Sequence, residues 1–166
     1  NDALWVGTSG GVSRFDGVSW QTWTVDDSLV VNTVTDIAID SSDQVWITVN
    51  EPSSDRSGSY TCALQRYDGE QWITVQKITY ASYGGYDTLV YNPVQRWLLI
   101  TQWRYVYRYT PDTGKMTYCG STASPASFTI DQNGIAWAIE NGNPVTCDGD
   151  SVLVYSERRR RRRTSL

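Results

Sequence analysis

Short stretches of this chain alternate apolar and polar residues with a period of two. In TVTDIAID (33–40), Thr35, Ile37 and Ile39 fall on one side, and Val34 and Asp36 on the other. A period of two sends successive side chains to opposite faces of a strand, so the pattern predicts β-structure. Between the stretches lie turns rich in Asp, Gly, Asn and Ser, with little room for helix.

The stretches repeat. Four align on a tryptophan: LWVGTS (4–9), VWITVN (45–50), RWLLIT (96–101) and AWAIEN (136–141). The anchors Trp5, Trp46, Trp97 and Trp137 are 41, 51 and 40 residues apart. A spacing near forty is that of a four-stranded propeller blade. A second element follows each anchor: GGVSRFDG (10–17), ALQRYDG (63–69), YVYRYTPDTG (105–114) and NPVTCDG (143–149). Each ends in a turn with Asp and Gly, a hairpin signal because Gly takes positive φ freely. A third element then follows: VSWQTWTV (18–25), EQWITV (70–75), KMTYC (115–119) and DSVLVY (150–155). Three anchors are preceded by a fourth element, TVTDIAID (33–40), DTLVYN (87–92) and ASFTID (126–131).

The predicted fold is all-β: about four blades of four antiparallel strands, with the first blade lacking its innermost strand. The blades divide at 1–32, 33–86, 87–125 and 126–156, and residues 157–166 form a separate tail. A three-strand unit at one end predicts an arc of a larger propeller rather than a closed ring. Two irregular segments read as loops: EPSSDRSGSYTC (51–62), rich in Ser, Pro and Asp, and the connection QKITYASYGGYDT (76–88). The four tryptophans are expected to fill the wedges between blades. Asp40, Asn92 and Asp131 are expected to cap, through their side chains, the short turns that lead into the anchors.

Charge narrows the partners. Six of the fourteen basic side chains are the run Arg158–Arg163, so the rest carries eight basic against eighteen acidic groups. An acidic body repels phosphates, which argues against nucleic acid as its partner. Adjacent arginines repel one another, so the tail is expected to be unstructured and to suit polyanions. There is no histidine, which removes the commonest general base. Arg56, Arg104 and Tyr60 do not fall in a diagnostic hydrolase spacing, so no enzyme activity, metal or other cofactor is predicted. Cys62, Cys119 and Cys147 are odd in number and read as small buried hydrophobes, with a Cys62–Cys119 or Cys119–Cys147 bridge left open.

A binding module fits better. Propeller ligands meet the loops that enter the innermost strand and those after the anchor strand. Here these are 26–32, 50–62, 77–87, 102–104, 120–126 and 140–144, with candidate contacts Asn32, Tyr60, Tyr83, Tyr86, Trp103, Arg104 and Asn141. Aromatic and amide groups suit a glycan, peptide or protein ligand. A structural or protein-interaction scaffold is the rival reading.

LWVGTSGGVSRFDGVSW, with IDSSDQVW and IDQNGIAW before later anchors, resembles the two-component regulator propeller repeat. The likeness is strong over 4–25, interrupted by the insertion over 36–75, and weakest over 87–119, where Asn92-Pro93 replaces Asp and Gly. It implies a periplasmic or extracellular sensor region attached to a histidine kinase or another output, with further blades as its nearest partners. The chain begins at Asn1 without a signal peptide, as a processed product or an excised fragment would.

Overall fold

The computed structural model describes residues 3–52, 58–81, 84–122 and 127–154. These form four antiparallel sheets packed face to face in chain order, the blades of a propeller. The first blade holds β1 (Leu4–Thr8), β2 (Gly11–Phe15) and β3 (Trp20–Trp23). The second holds β4 (Val34–Ile39), β5 (Val45–Pro52), β6 (Ser59–Tyr67) and β7 (Trp72–Ala81). The third holds β8 (Tyr86–Asn92), β9 (Trp97–Gln102), β10 (Tyr105–Thr110) and β11 (Lys115–Ser121). The fourth holds β12 (Thr129–Ile130), β13 (Ala136–Glu140), β14 (Asn143–Cys147) and β15 (Val152–Val154). Within each sheet the strands lie in sequence order, and β1 occupies the place of β5, β9 and β13. Among the described residues the first blade therefore shows no counterpart of β4, as the repeat predicted.

Three wedges of side chains hold neighbouring blades together. Trp5 and Trp23 stack at 5.4 Å and meet Tyr67 and Trp72 of the second blade edge-on or tilted. Such ring pairs contribute about 0.5–1.5 kcal/mol each beyond the area they bury. Gly7 is required there, because a Cβ at that position would lie 2.5 Å from Val34 Cγ1 on β4. Trp46 packs with Tyr109, Leu98 and Ile100 in the second wedge, and Trp97 with Phe128, Ala136 and Cys147 in the third. Each anchor thus fills the gap towards the next blade. Trp137 is the exception to the expected core role. It stands 37% exposed, with Ile139 and Leu153, on the free face of the fourth blade, and no described residue packs a fifth sheet there.

Both segments read as loops in the second blade are corrected in part. Glu51–Pro52 extend β5, Ser59–Cys62 open β6 and Gln76–Ala81 continue β7. Ser59 pairs with Ala81 and Cys62 with Ile78, so each segment supplies the ladder the other needs. The expected loop 26–32 contains a single 3-10 turn, Val25–Asp27, closed by reciprocal capping between Thr24 and Asp27.

Candidate functional site

Every blade has two ends, and in the first, second and fourth blades the turns at one of them are fixed by carboxylates. Asp40 Oδ1 accepts the backbone N–H groups of Ser42 (2.8 Å) and Gln44 (3.1 Å), and Oδ2 accepts the Trp46 indole N–H at 2.9 Å. Asp131 repeats this with Asn133, Ile135 and Trp137. Asp16, Asp68 and Asp148 each accept two N–H groups in the Asp-Gly hairpins between third and fourth strands. Those N–H groups favour the charged form, and hold the carboxyls of Asp16, Asp68, Asp131 and Asp148 below the usual range.

At the other end the turns differ from blade to blade. The hairpin between second and third strands is Ser9-Gly10 in the first blade and Asn141-Gly142 in the fourth, where both residues have positive φ. In the third blade it is Trp103-Arg104, and Trp103 sits at φ 51°, in the left-handed region that bulky side chains rarely occupy. Asp87 Oδ2 accepts the Trp103 backbone N–H at 2.7 Å, and burial raises the Asp87 carboxyl pKa. Arg104 donates from Nε to the Thr122 carbonyl at 3.2 Å and lies 5.6 Å over the Trp103 ring.

Beside this turn runs a row of rings. Trp103 meets Tyr105 at 6.1 Å, Tyr105 meets Tyr118 at 6.1 Å, and Tyr118 meets Tyr107 at 5.8 Å. Tyr107 and Tyr118 are cross-strand partners, so the row shares one sheet face, and deeper in that face Tyr109 packs on Trp46. Tyr105 and Tyr118 are 39% and 55% exposed. The row is an apolar, hydroxyl-edged surface flanked by one cation, which can stack a flat or ring-shaped ligand and hydrogen-bond its rim.

The seven expected contacts are not all gathered here. Trp103 and Arg104 form the corner of the row. Tyr86 is buried in the wedge with Leu89 and Leu98, so it serves the core rather than the loop face. Asn32 accepts the Val25 N–H at 2.8 Å and closes its own loop. Tyr60 lies on β6 opposite Pro52. Asn141 is exposed on the fourth blade's tight turn. Tyr83 lies outside the described residues, as do Arg56 and the arginine tail. Tyr105, Tyr107 and Tyr118 were not among the expected contacts; the alternation in YVYRYT puts Tyr105, Tyr107 and Tyr109 on one face, but nothing along that strand points to Tyr118. A separate open groove of about 520 Å³ follows β4 and β8 on the axis side, lined by Ile37, Ile39, Asp40, Leu89 and Tyr91. Among the described residues no three His, Cys, Asp or Glu side chains are placed to share a metal ion.

Solved structures share this fold. One is the extracellular domain of the putative one-component system BT4673 from B. thetaiotaomicron, matched over 96% of this chain at TM-score 0.73 and 17% identity. A second structure, described as the extracellular domain of the putative hybrid two-component system BT4673, is matched over 100% at TM-score 0.72 and 17% identity. The extracellular domain of the putative hybrid two-component system BT3049 from the same organism is matched over 94% at TM-score 0.64 and 17% identity. At 17% identity these likenesses are of fold. The chain spans 22% of the length of each of these structures. No family model and no curated protein matches it.

Proposed function

We propose that this chain is part of a larger, extracytoplasmic sensor propeller, and that it binds its ligand on the tyrosine row of the third blade rather than catalysing a reaction. The exposed Tyr105–Tyr118 pair carries the reading, because the two rings meet at 6.1 Å and Tyr105 also meets Trp103, over which Arg104 lies. Isolated surface rings are ordinary. A connected row beside a left-handed tryptophan is not, since strain of that kind is kept where a side chain must be aimed. The ligand class that suits it is a glycan, whose ring faces stack on tyrosine while its hydroxyls meet Tyr and Arg. The exposed face of Trp137, Ile139 and Leu153 supports further blades as neighbours, and the described relatives support an extracytoplasmic place.

The test is an oligosaccharide array with the intact protein, followed by titration of any hit. Tyr118→Ala is expected to weaken a genuine hit at least tenfold while leaving the melting temperature within a few degrees. An array without hits above background, or a hit indifferent to Tyr105→Ala and Tyr118→Ala, removes this site. The scaffold reading draws on the same exposed apolar faces, and would show as a protein partner whose binding Trp137→Ser abolishes and Tyr118→Ala leaves intact.

A further inference from the structure

Two of the three thiols come together across a blade boundary. Cys119 lies on β11, the outermost strand of the third blade, and Cys147 on β14 of the fourth. Both belong to the same buried cluster, with Trp97 and Ala136. On β11 the register slips: Val106 pairs with Gly120 and Tyr107 with Tyr118, so Cys119 is the extra residue of a bulge. A bulge re-aims its side chain. The Cys119 thiol accordingly leaves its own sheet and donates to the Gly149 carbonyl at 3.0 Å, in the hairpin that begins at Cys147. Gly120 lets the strands approach, since a Cβ there would lie 3.0 Å from Val152, the cross-strand partner of Cys147. The two thiols also perturb each other's titration in opposite directions.

We propose that Cys119 and Cys147 are a disulfide site that covalently joins the third and fourth blades. The structure holds them as free thiols. Their environments assign the order of events. Cys119 is 7% exposed and Cys147 fully buried, so Cys119 meets the oxidant first. The neighbouring Cys147 thiol, helped by the Arg108 cation, favours the Cys119 thiolate against the opposing effect of burial, whereas the neighbouring Cys119 and then burial push Cys147 the other way. The Cys119 thiolate attacks the disulfide of a low-molecular-weight thiol or an oxidoreductase, forming a mixed disulfide and releasing one thiolate. Cys147 gives up its proton, displaces the second thiolate and closes the intramolecular bond. Two protein thiols are oxidised and the external disulfide is reduced to two thiols. Cys62 stays out of the exchange, because it is fully buried in another wedge and burial pushes its thiol up to about 11.

The experiment incubates the intact protein with oxidised glutathione, then records its mass and maps non-reduced peptides. The expected product is lighter by about 2 Da, the two thiol hydrogens. It yields one linked peptide pair containing Cys119 and Cys147, with Cys62 alkylated only after unfolding. Cys147→Ala should stop at a stable glutathione adduct on Cys119. An end product in which wild type keeps three free thiols, carries only an adduct, or links Cys62 overturns the proposal. The wild-type measurement needs no variant and no ligand, so its failure leaves the binding reading untouched.

Discussion

In the first, second and fourth blades one end is built on a plan that the other end does not share. At one end Asp40, Asp131, Asp16, Asp68 and Asp148 repeat a single device, a carboxylate collecting backbone N–H groups. At the other end the corresponding turns are Ser-Gly, Asn-Gly and Trp-Arg. The first plan serves stability, because each turn satisfies its own donors whatever its neighbours are. The second leaves each blade free to present different side chains on the same frame. Substitutions should therefore cost stability at the carboxylate end, and binding at the other.

The third blade offers the hardest test, because Asn92 replaces aspartate at its first turn. Asn92 is fully buried, accepts the N–H groups of Val94 and Gln95 at 3.0 Å, and donates to the Gly134 carbonyl at 2.7 Å across the blade boundary. A carboxylate could keep the two acceptor bonds but would face the Gly134 oxygen with no proton. Asn92→Asp is expected to cost about 3 kcal/mol at neutral pH, read as a lower urea midpoint. The protonated acid can donate again, so its folded pKa is raised and the lost stability should return as pH falls through it. A variant as stable as wild type at pH 7 would mean that the inter-blade bond carries no energy.

Asp40→Ala comes next. It strips two turn N–H groups of their acceptor and leaves the buried Trp46 indole N–H unpaired. The loss should be about 2 kcal/mol in a urea melt. Asp40→Asn should recover the turn's share alone, since its amide oxygen can still accept there while its NH2 faces the Trp46 N–H donor to donor.

This division also sets what could be read from the sequence. The carboxylate end was legible because its chemistry is local: Asp40 and Trp46 are six residues apart and Asp-Gly is contiguous. Strand count and sheet order followed from the same periodicity. The second blade's extension was misread because a Ser- and Tyr-rich segment becomes strand only when a partner pairs with it, as Ser59 does with Ala81. Tyr86 was misplaced for a related reason. Its neighbours Gly84-Gly85 look like a loop, yet β8 begins at Tyr86 itself and buries the ring between blades. Alternation along one strand shows Tyr105 and Tyr107 on one face, but Tyr118 joins them through cross-strand register, which no spacing along one strand reveals.

At the variable end, Trp103→Gly should change stability by less than about 1 kcal/mol in either direction. Glycine relieves the φ of 51° but loses the ring contacts with Tyr105 and Arg104. The same variant should lose the ligand titration that Tyr118→Ala weakens. A destabilisation well beyond that range would make Trp103 a structural residue and blur the difference between the ends.

The smallest expected effect separates the two ends by pH. Asp148 is held below the usual carboxyl range, first by the N–H of Asp150 and then by that of Ser151. Asp16, Asp68 and Asp131 are lowered by the same kind of contact. A depressed folded pKa means that the unfolded chain takes up protons first as the solution is acidified. The stability these groups contribute is fully present above the ordinary aspartate pKa of about 4, and is lost as pH falls through the folded values. Asp148→Asn keeps an acceptor for both N–H groups and removes one titrating site. Its urea midpoint at pH 7 should stay near wild type, while the slope of stability against pH below 4 becomes shallower by less than one linked proton. Stacking Asn at Asp16 and Asp68 should flatten the slope further, each step adding independently because the turns lie in separate blades. If the slope does not change with these substitutions, acid sensitivity resides elsewhere and the carboxylates act only through turn geometry.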